Sequence, residues 1–226
     1  MTKDRIIRTP ATQQIPKIMA EMKIAADALE EIGWGVSVFG SARIRTDSPY
    51  YALSEALGGR LAKAGLPVIA GGGPGLMEAA NKGAYTAGGT SVGLNIRLPQ
   101  EELDNQYQTH SLAFDYFYSR KATFFMHSVA YIALPGGWGT LDELFEVMTL
   151  VQTRKVPPAP IILMGESFWS GLIDWVRDMQ LGKGLISPND MDLFMLTDDL
   201  DMVMEHIEAF CASFPDRYEY EPALPE

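Results

Sequence analysis

The sequence predicts an α/β fold, a Rossmann-like doubly wound parallel sheet in a single domain. Three observations lead there. Short apolar runs alternate with longer amphipathic stretches, two of those runs end directly in glycine-rich turns, and no repeat, low-complexity tract or linker interrupts the pattern. Such alternation implies parallel strands with helices on both faces, and a ligand at the carboxyl ends of the strands. At 226 residues the chain suits one such domain rather than two. We divide it into an N-terminal tail and helix (residues 1–33), the Rossmann-like domain (34–213) and a C-terminal tail (214–226).

The elements follow in order. Ile15, Ile18, Met22, Ala25, Ala26, Leu29 and Ile32 recur at helical spacing, and Gly33 is the stop. Val36 to Gly40 reads as the first strand, followed by a helix from Tyr50 to Ala64. Pro67 to Ala70 is the second strand and Gly75 to Ala87 the second helix of the alternating series. Ser91 to Asn95 is a third strand. Arg97 to Asp115 is longer and less regular, with acidic residues around Gln100 to Gln108, and leads into a helix through Ser119 to Ser128. Tyr131 to Leu134 and Thr140 to Gln152 form another strand and helix. Ile161 to Met164 is a further buried strand, and helices are expected near Phe168 to Met179 and Asp199 to Ser213.

Hydrophobic residues make up 47% and charged residues 21% of the chain, the balance of an ordinary globular protein. No apolar stretch reaches the roughly 18 residues a membrane span needs. Met1 to Pro10 carries basic residues with no apolar core behind them, so no secretory signal is expected. The single cysteine, Cys211, cannot form an internal disulfide and excludes a Cys-rich zinc site, so a cytoplasmic setting is expected. Eighteen basic against 29 acidic side chains leave a net charge of −11, which repels polyanions and argues against nucleic acid as a partner. One phosphate held by local backbone amides remains compatible with that charge. His110, His127 and His206 lack metal-ligand spacing, and no metal is expected.

The strongest signals are the turns Gly71-Gly72-Gly73-Pro74-Gly75 and Pro135-Gly136-Gly137-Trp138-Gly139-Thr140, each between a strand and a helix. The following helix aims its free N–H groups and positive dipole end back at the turn, where an anion such as phosphate is the natural occupant. A glycine-rich strand-to-helix turn also serves simply as a tight connection. Neither turn is a dinucleotide fingerprint: Leu76 and Glu78 stand where a third spaced glycine would fall, and no acidic ribose ligand lies about 20 residues on. Walker A spacing is absent too, which weakens NAD-dependent and ATP-hydrolysing readings.

Asp142, Glu143 and Glu146 open the helix after the second turn. Read by position alone they complement the helix dipole, with Glu143 and Glu146 sharing a face and Asp142 pointing elsewhere. Arg120 and Lys121 close an aromatic stretch, and suit equally a solvated helix edge or a cation beside an anionic ligand.

These residues carry a resemblance. Gly71-Gly72-Gly73-Pro74-Gly75-Leu76-Met77 resembles, one residue short, the GGGxxGLM segment of the LOG family, once widely labelled lysine decarboxylases. Pro135 to Glu143, PGGWGTLDE, resembles that family's PGGxGTxxE signature at every specified position, and Arg120-Lys121 lies 23 residues before Glu143, where the family has its Arg-Lys pair. The resemblance covers roughly residues 35 to 210. It implies a nucleotide-binding catalytic domain that hydrolyses the N-glycosidic bond of AMP or a cytokinin riboside 5′-monophosphate to free base and ribose 5-phosphate. It implies Glu143 and Arg120 as catalytic residues. Lys121, Gly136, Gly137, Gly139, Thr140, Gly72, Gly73, Gly40, Ser41 and Glu146 would then contact substrate. It also implies a homodimer or higher oligomer with the site near the subunit interface, and no cofactor. Lysine decarboxylation generally needs pyridoxal phosphate, for which no lysine context is recognisable. The departures are the shortened glycine segment, Phe117-Tyr118 in place of a Met-His, and an N-terminal extension with the acidic stretch, as in a longer bacterial subgroup; they leave the preferred base open. The alternative is a non-catalytic carrier of a nucleotide-like cofactor, similar to molybdenum-cofactor carriers. The helix Ile15 to Ile32 and the run Phe124-Phe125-Met126 either offer apolar surface to a partner or cover the sheet.

Overall fold

A computed structural model describes residues 10–98 and 104–213. Both expected tails beyond those limits, and residues 99–103 of the acidic stretch, lie outside the described residues. The strands are β1 (Gly35–Phe39), β2 (Val68–Ala70), β3 (Ser91–Ile96), β4 (His110–Phe114), β5 (Ser128–Ala133), β6 (Ile161–Leu163) and β7 (Met195–Leu196). The helices are α1 (Ala11–Leu29), α2 (Pro49–Lys63), α3 (Leu76–Thr86), α4 (Phe117–Met126), α5 (Trp138–Gln152), α6 (Glu166–Trp175) and α7 (Leu200–Ala212).

All seven strands pair in parallel, in the order β4-β3-β2-β1-β5-β6-β7. The fold is therefore α/β and Rossmann-like. Strand alternation divides its core in two. Val36 and Val38 of β1 and Ala130 and Ile132 of β5 face α2, α3 and α7. Phe39, Tyr131 and Ala133 face the opposite way, against α1, α4, α5 and α6. A strand buried on both faces has no solvated side, which is why β2 and β6 read as continuous apolar runs and β1 is broken only by Ser37, whose hydroxyl is paired with that of Ser128. Caps mark the helix starts: Ser48 accepts from the Tyr50 N–H ahead of Pro49, and Asp199 accepts from the Asp201 and Met202 N–H groups.

The irregular stretch Arg97 to Asp115 contains a strand that the apolar pattern did not reveal. β4 pairs with β3 alone and leaves His110, Ser111 and Ala113 exposed. An edge strand needs little apolar surface, so periodicity carries no signal there. The apolar run in α4 is also resolved: Phe124 is 0% and Phe125 6% exposed, in the core, while Met126 is 54% exposed. Two-thirds of that run covers the sheet. Among the described residues, no helix is long and apolar enough to cross a membrane.

From β1 the chain winds outward to β4 and returns through α4 to β5, which lies on the other side of β1. The connections leaving β1 and β5 therefore diverge and open a crevice at their carboxyl ends. On one face, α2 and α3 approach so closely that a Cβ at Gly83 would fall 1.9 Å from the Glu55 carbonyl oxygen. Gly58 meets the Ala80 carbonyl oxygen in the same way, at 2.1 Å. Backbone on both sides leaves no side chain to move aside. Gly83→Ala is expected to force the helices apart and cost about 1–3 kcal/mol, read as a lower urea midpoint, whereas exposed Gly171→Ala is expected to leave the midpoint unchanged or raised.

Candidate functional site

The crevice is bounded by three loops tied to one another through backbone. After β1, the Ser41 N–H donates to the Pro135 carbonyl at 3.1 Å, and the Leu76 N–H donates to the Ser41 carbonyl at 3.0 Å. Ser41 thus fixes the spacing between the first glycine turn, which opens α3, and the second, which opens α5. Gly137 is the N-cap of α5 and supplies no side-chain hydrogen bond, so the first-turn N–H groups face the loop without a protein cap. Thr140 sits in that turn, 5% exposed. Its hydroxyl turns back onto Gly136, where a Cβ would lie 2.1 Å from Thr140 Oγ1.

Arg120 and Glu143 meet at the base of the crevice. Arg120 Nη1 donates to Glu143 Oε1 at 3.2 Å, with the two residues 6% and 9% exposed. Arg120 Nε donates to the Leu94 carbonyl at 2.7 Å, Nη2 lies 3.5 Å from the Gly71 carbonyl oxygen, and the guanidinium rests 5.2 Å from the centre of the Phe124 ring. One side chain therefore gathers α4, α5, the end of β3 and the first glycine turn. Burial pushes the Glu143 carboxyl above the usual carboxylate range, and the Arg120 charge pulls it partly back.

The acids of α5 sort differently from their expected faces. Asp142 and Glu146, four apart, both pair with Lys121, Asp142 at 2.9 Å, while Glu143 turns inward. Burial works against the Lys121 ammonium, but hydrogen bonds to Glu146 and Asp142 outweigh it and hold its pKa above the ordinary value. Lys121 and Glu146 thus lie beside the crevice as an ion pair with each other. Of the expected residues, Arg120 and Gly73 line the cavity beside the first turn, Ser41 ties the two turns together, and Glu143 and Thr140 are buried in α5 at the second turn. α5 begins at Trp138, so none of the three acids occupies its first turn, and the dipole does not account for a carboxylate buried on an arginine.

A cavity of about 560 Å³ opens beside the first turn, lined in part by Gly71, Gly73, Met77, Asn95, Arg97 and Arg120. That volume falls within the range of small-molecule sites. Asn95, with Asn105 and Gln108 behind it, was not among the residues singled out by sequence. The available signal was an asparagine inside the otherwise apolar strand β3, where a buried amide must find partners.

An open parallel sheet with an uncapped glycine-rich helix start and a buried Arg–Glu pair at its switch point marks this crevice as the candidate site of a Rossmann-type protein. The family model described as "Possible lysine decarboxylase" matches residues 77–207, and the chain belongs to that family. It is 33% identical over 157 residues, 68% of this chain and 63% of the relative, to a probable cytokinin riboside 5′-monophosphate phosphoribohydrolase of Oryza sativa. It thus spans less than two-thirds of that plant protein. To the cytokinin riboside 5′-monophosphate phosphoribohydrolase of Mycobacterium tuberculosis it is 30% identical over 171 residues, 74% of this chain and 89% of that one. Among solved structures, a molybdenum cofactor carrier protein of Chlamydomonas reinhardtii superposes with a TM-score of 0.58 at 20% identity, over 80% of this chain and 99% of the carrier. That likeness concerns the fold.

The pair itself generates a stability prediction. Removing one partner leaves a buried charge uncompensated, so Arg120→Met is expected to cost about 3–5 kcal/mol in urea unfolding. Arg120→Met combined with Glu143→Leu is expected to recover much of that loss. A double variant as unstable as the sum of its parts would show that the two charges are not coupled.

Proposed function

We propose that this protein is a nucleoside 5′-monophosphate phosphoribohydrolase, releasing the free base and ribose 5-phosphate from AMP or a cytokinin riboside 5′-monophosphate. The observation that carries this reading is the buried Arg120–Glu143 pair between two glycine turns, in a chain of this family. A phosphate carrier needs the turns but not a carboxylate at the base of the crevice.

The chemistry follows from the geometry. The first-turn N–H groups of α5, with Gly136, Gly137, Gly139 and the Thr140 hydroxyl, hold the 5′-phosphate, and that remote binding energy serves the chemical step. As the bond from C1′ to the base nitrogen breaks, positive charge grows on the sugar and negative charge on the base. Glu143 stabilises the sugar cation and takes a proton from the water that attacks C1′. Arg120, charged at any working pH, neutralises the negative charge on the departing base, which then receives the proton that Glu143 took from water, restoring the carboxylate. Gly40, Ser41, Gly72 and Gly73 line the crevice, while Lys121 and Glu146 border it. No metal or organic cofactor is called for. We further propose a cytoplasmic homodimer, with Tyr118 of α4 and Trp138 of α5, 73% and 88% exposed, on the partner face.

The test is to incubate the purified chain with AMP and a panel of other monophosphates and cytokinin ribotides, measuring base and ribose 5-phosphate. Wild-type turnover is expected, with folded Glu143→Ala slower by about 10²–10⁴-fold; near-normal turnover of that variant would refute the assignment. The likeness to a cofactor carrier supports a second reading, in which nucleotide binds and no member of the panel is cleaved. The pH profile provides a further prediction. A general base works only when ionised, so kcat rises with pH through the Glu143 pKa. Because burial raises that pKa, the acid limb is expected above the ordinary carboxylate range. A limb at the usual carboxylate pH would count against Glu143 as the base.

A further inference from the structure

The first glycine turn does not hold its shape alone. The Gly72 carbonyl accepts from the Asn105 backbone N–H at 2.8 Å, the Asn105 side-chain amide at 2.9 Å and the Gln108 side-chain amide at 3.0 Å. The Asn105 amide also reaches the Gly73 carbonyl at 3.1 Å and Asn81 Oδ1 at 3.0 Å, while its own oxygen accepts from the Tyr107 N–H at 3.0 Å. Asn105 is 8% exposed, so this amide is anchored in the core by α3 and the lead-in to β4.

Two glycines clear the space for this arrangement. A Cβ at Gly93 of β3 would fall 2.0 Å from the Gln108 side-chain amide, and one at Gly72 would fall 1.7 Å from the Asn95 side-chain amide. Gly72 also adopts φ +77°, the left-handed region that glycine enters without strain. The two glycines make room for the Gln108 and Asn95 amides, and the amides of Asn105 and Gln108 converge on the Gly72 carbonyl.

That peptide has a direction. Every peptide bond among the described residues is trans, so the Gly73 N–H points opposite to the Gly72 carbonyl. With the carbonyl held by Asn105 and Gln108, the N–H is turned the other way. Among the described residues no group accepts from it, and Gly73 lines the cavity beside Arg120.

We propose that Asn105 and Gln108 are positioning residues for the nucleotide site, which by gripping the Gly72 carbonyl aim the Gly73 N–H at the bound nucleotide as a hydrogen-bond donor. This rests on the reading of the crevice as a nucleoside monophosphate site. It assigns a role to the segment before β4, outside both glycine motifs. The donor contacts the nucleotide before and during bond cleavage alike, so its loss weakens binding and spares the chemical step.

The test uses the full chain with AMP as the probe, comparing wild type, Asn105→Asp and Gln108→Ala. Asn105→Asp removes the side-chain donor and sets a carboxylate against two carbonyl oxygens. Gln108→Ala removes one donor of three from a half-buried position and serves if the first variant does not fold. The expected result is a KM for AMP raised about tenfold, one good hydrogen bond, with kcat within about threefold of wild type. In wild type the Gly73 amide signal in a 15N–1H spectrum is expected to move on AMP addition, and in folded Gln108→Ala to move far less. An unchanged KM together with an unchanged Gly73 response in folded Gln108→Ala would overturn the proposal. A wild type that binds AMP without cleaving it refutes the hydrolase reading alone, and the dissociation constant then replaces KM under the same criterion. A wild type that neither binds nor cleaves AMP overturns both.

Discussion

The site depends on one buried contact, the ion pair between Arg120 and Glu143. Taking both charges out of water costs several kcal/mol each, and their attraction offsets this only with good geometry and further hydrogen bonds. The fold supplies them through the carbonyl of Leu94, the nearby carbonyl of Gly71 and the face of Phe124. Because these groups come from separate elements, the pair also specifies how α4 and α5 sit against the sheet. The same burial that makes the pair expensive raises the proton affinity of Glu143, so the packing of the pair and the protonation of its carboxylate have one cause.

Around that pair, backbone rather than side chains builds the crevice. Ser41 bonds to the loop before α5 with its N–H and to the start of α3 with its carbonyl. It can do so because β1 and β5 are neighbours whose outgoing connections diverge. An anion held this way meets fixed N–H groups and a helix dipole instead of a mobile cation. A net charge of −11 therefore does not by itself oppose an anion at this crevice. Lys121, the cation next in sequence to Arg120, is held by Asp142 and Glu146.

Relatives named as phosphoribohydrolases and a structural likeness to a cofactor carrier meet on one architecture. The likeness is one of fold, and fold alone does not separate a hydrolase from a carrier. The residues that could separate them are ionisable ones at the crevice base. A buried carboxylate costs stability that a pure binding site has no need to spend.

Much of this protein was legible in its residues alone. Alternating apolar runs determined the parallel sheet, because strands buried on both faces admit a polar side chain only where it finds a hydrogen-bond partner. The two glycine turns were legible because close backbone approach excludes a Cβ whatever surrounds it. β4 was not, since an edge strand with exposed side chains carries no apolar period. Nor was the partition of the acids: spacing grouped Glu143 with Glu146, but only packing decided that Lys121 would take Asp142 and Glu146 and leave Glu143 to Arg120. The same holds for Asn105 and Gln108, whose amides reach the first glycine turn from more than 30 residues away. Local sequence determines backbone shape and burial period; which distant side chain meets which carbonyl is decided only when the sheet brings them together.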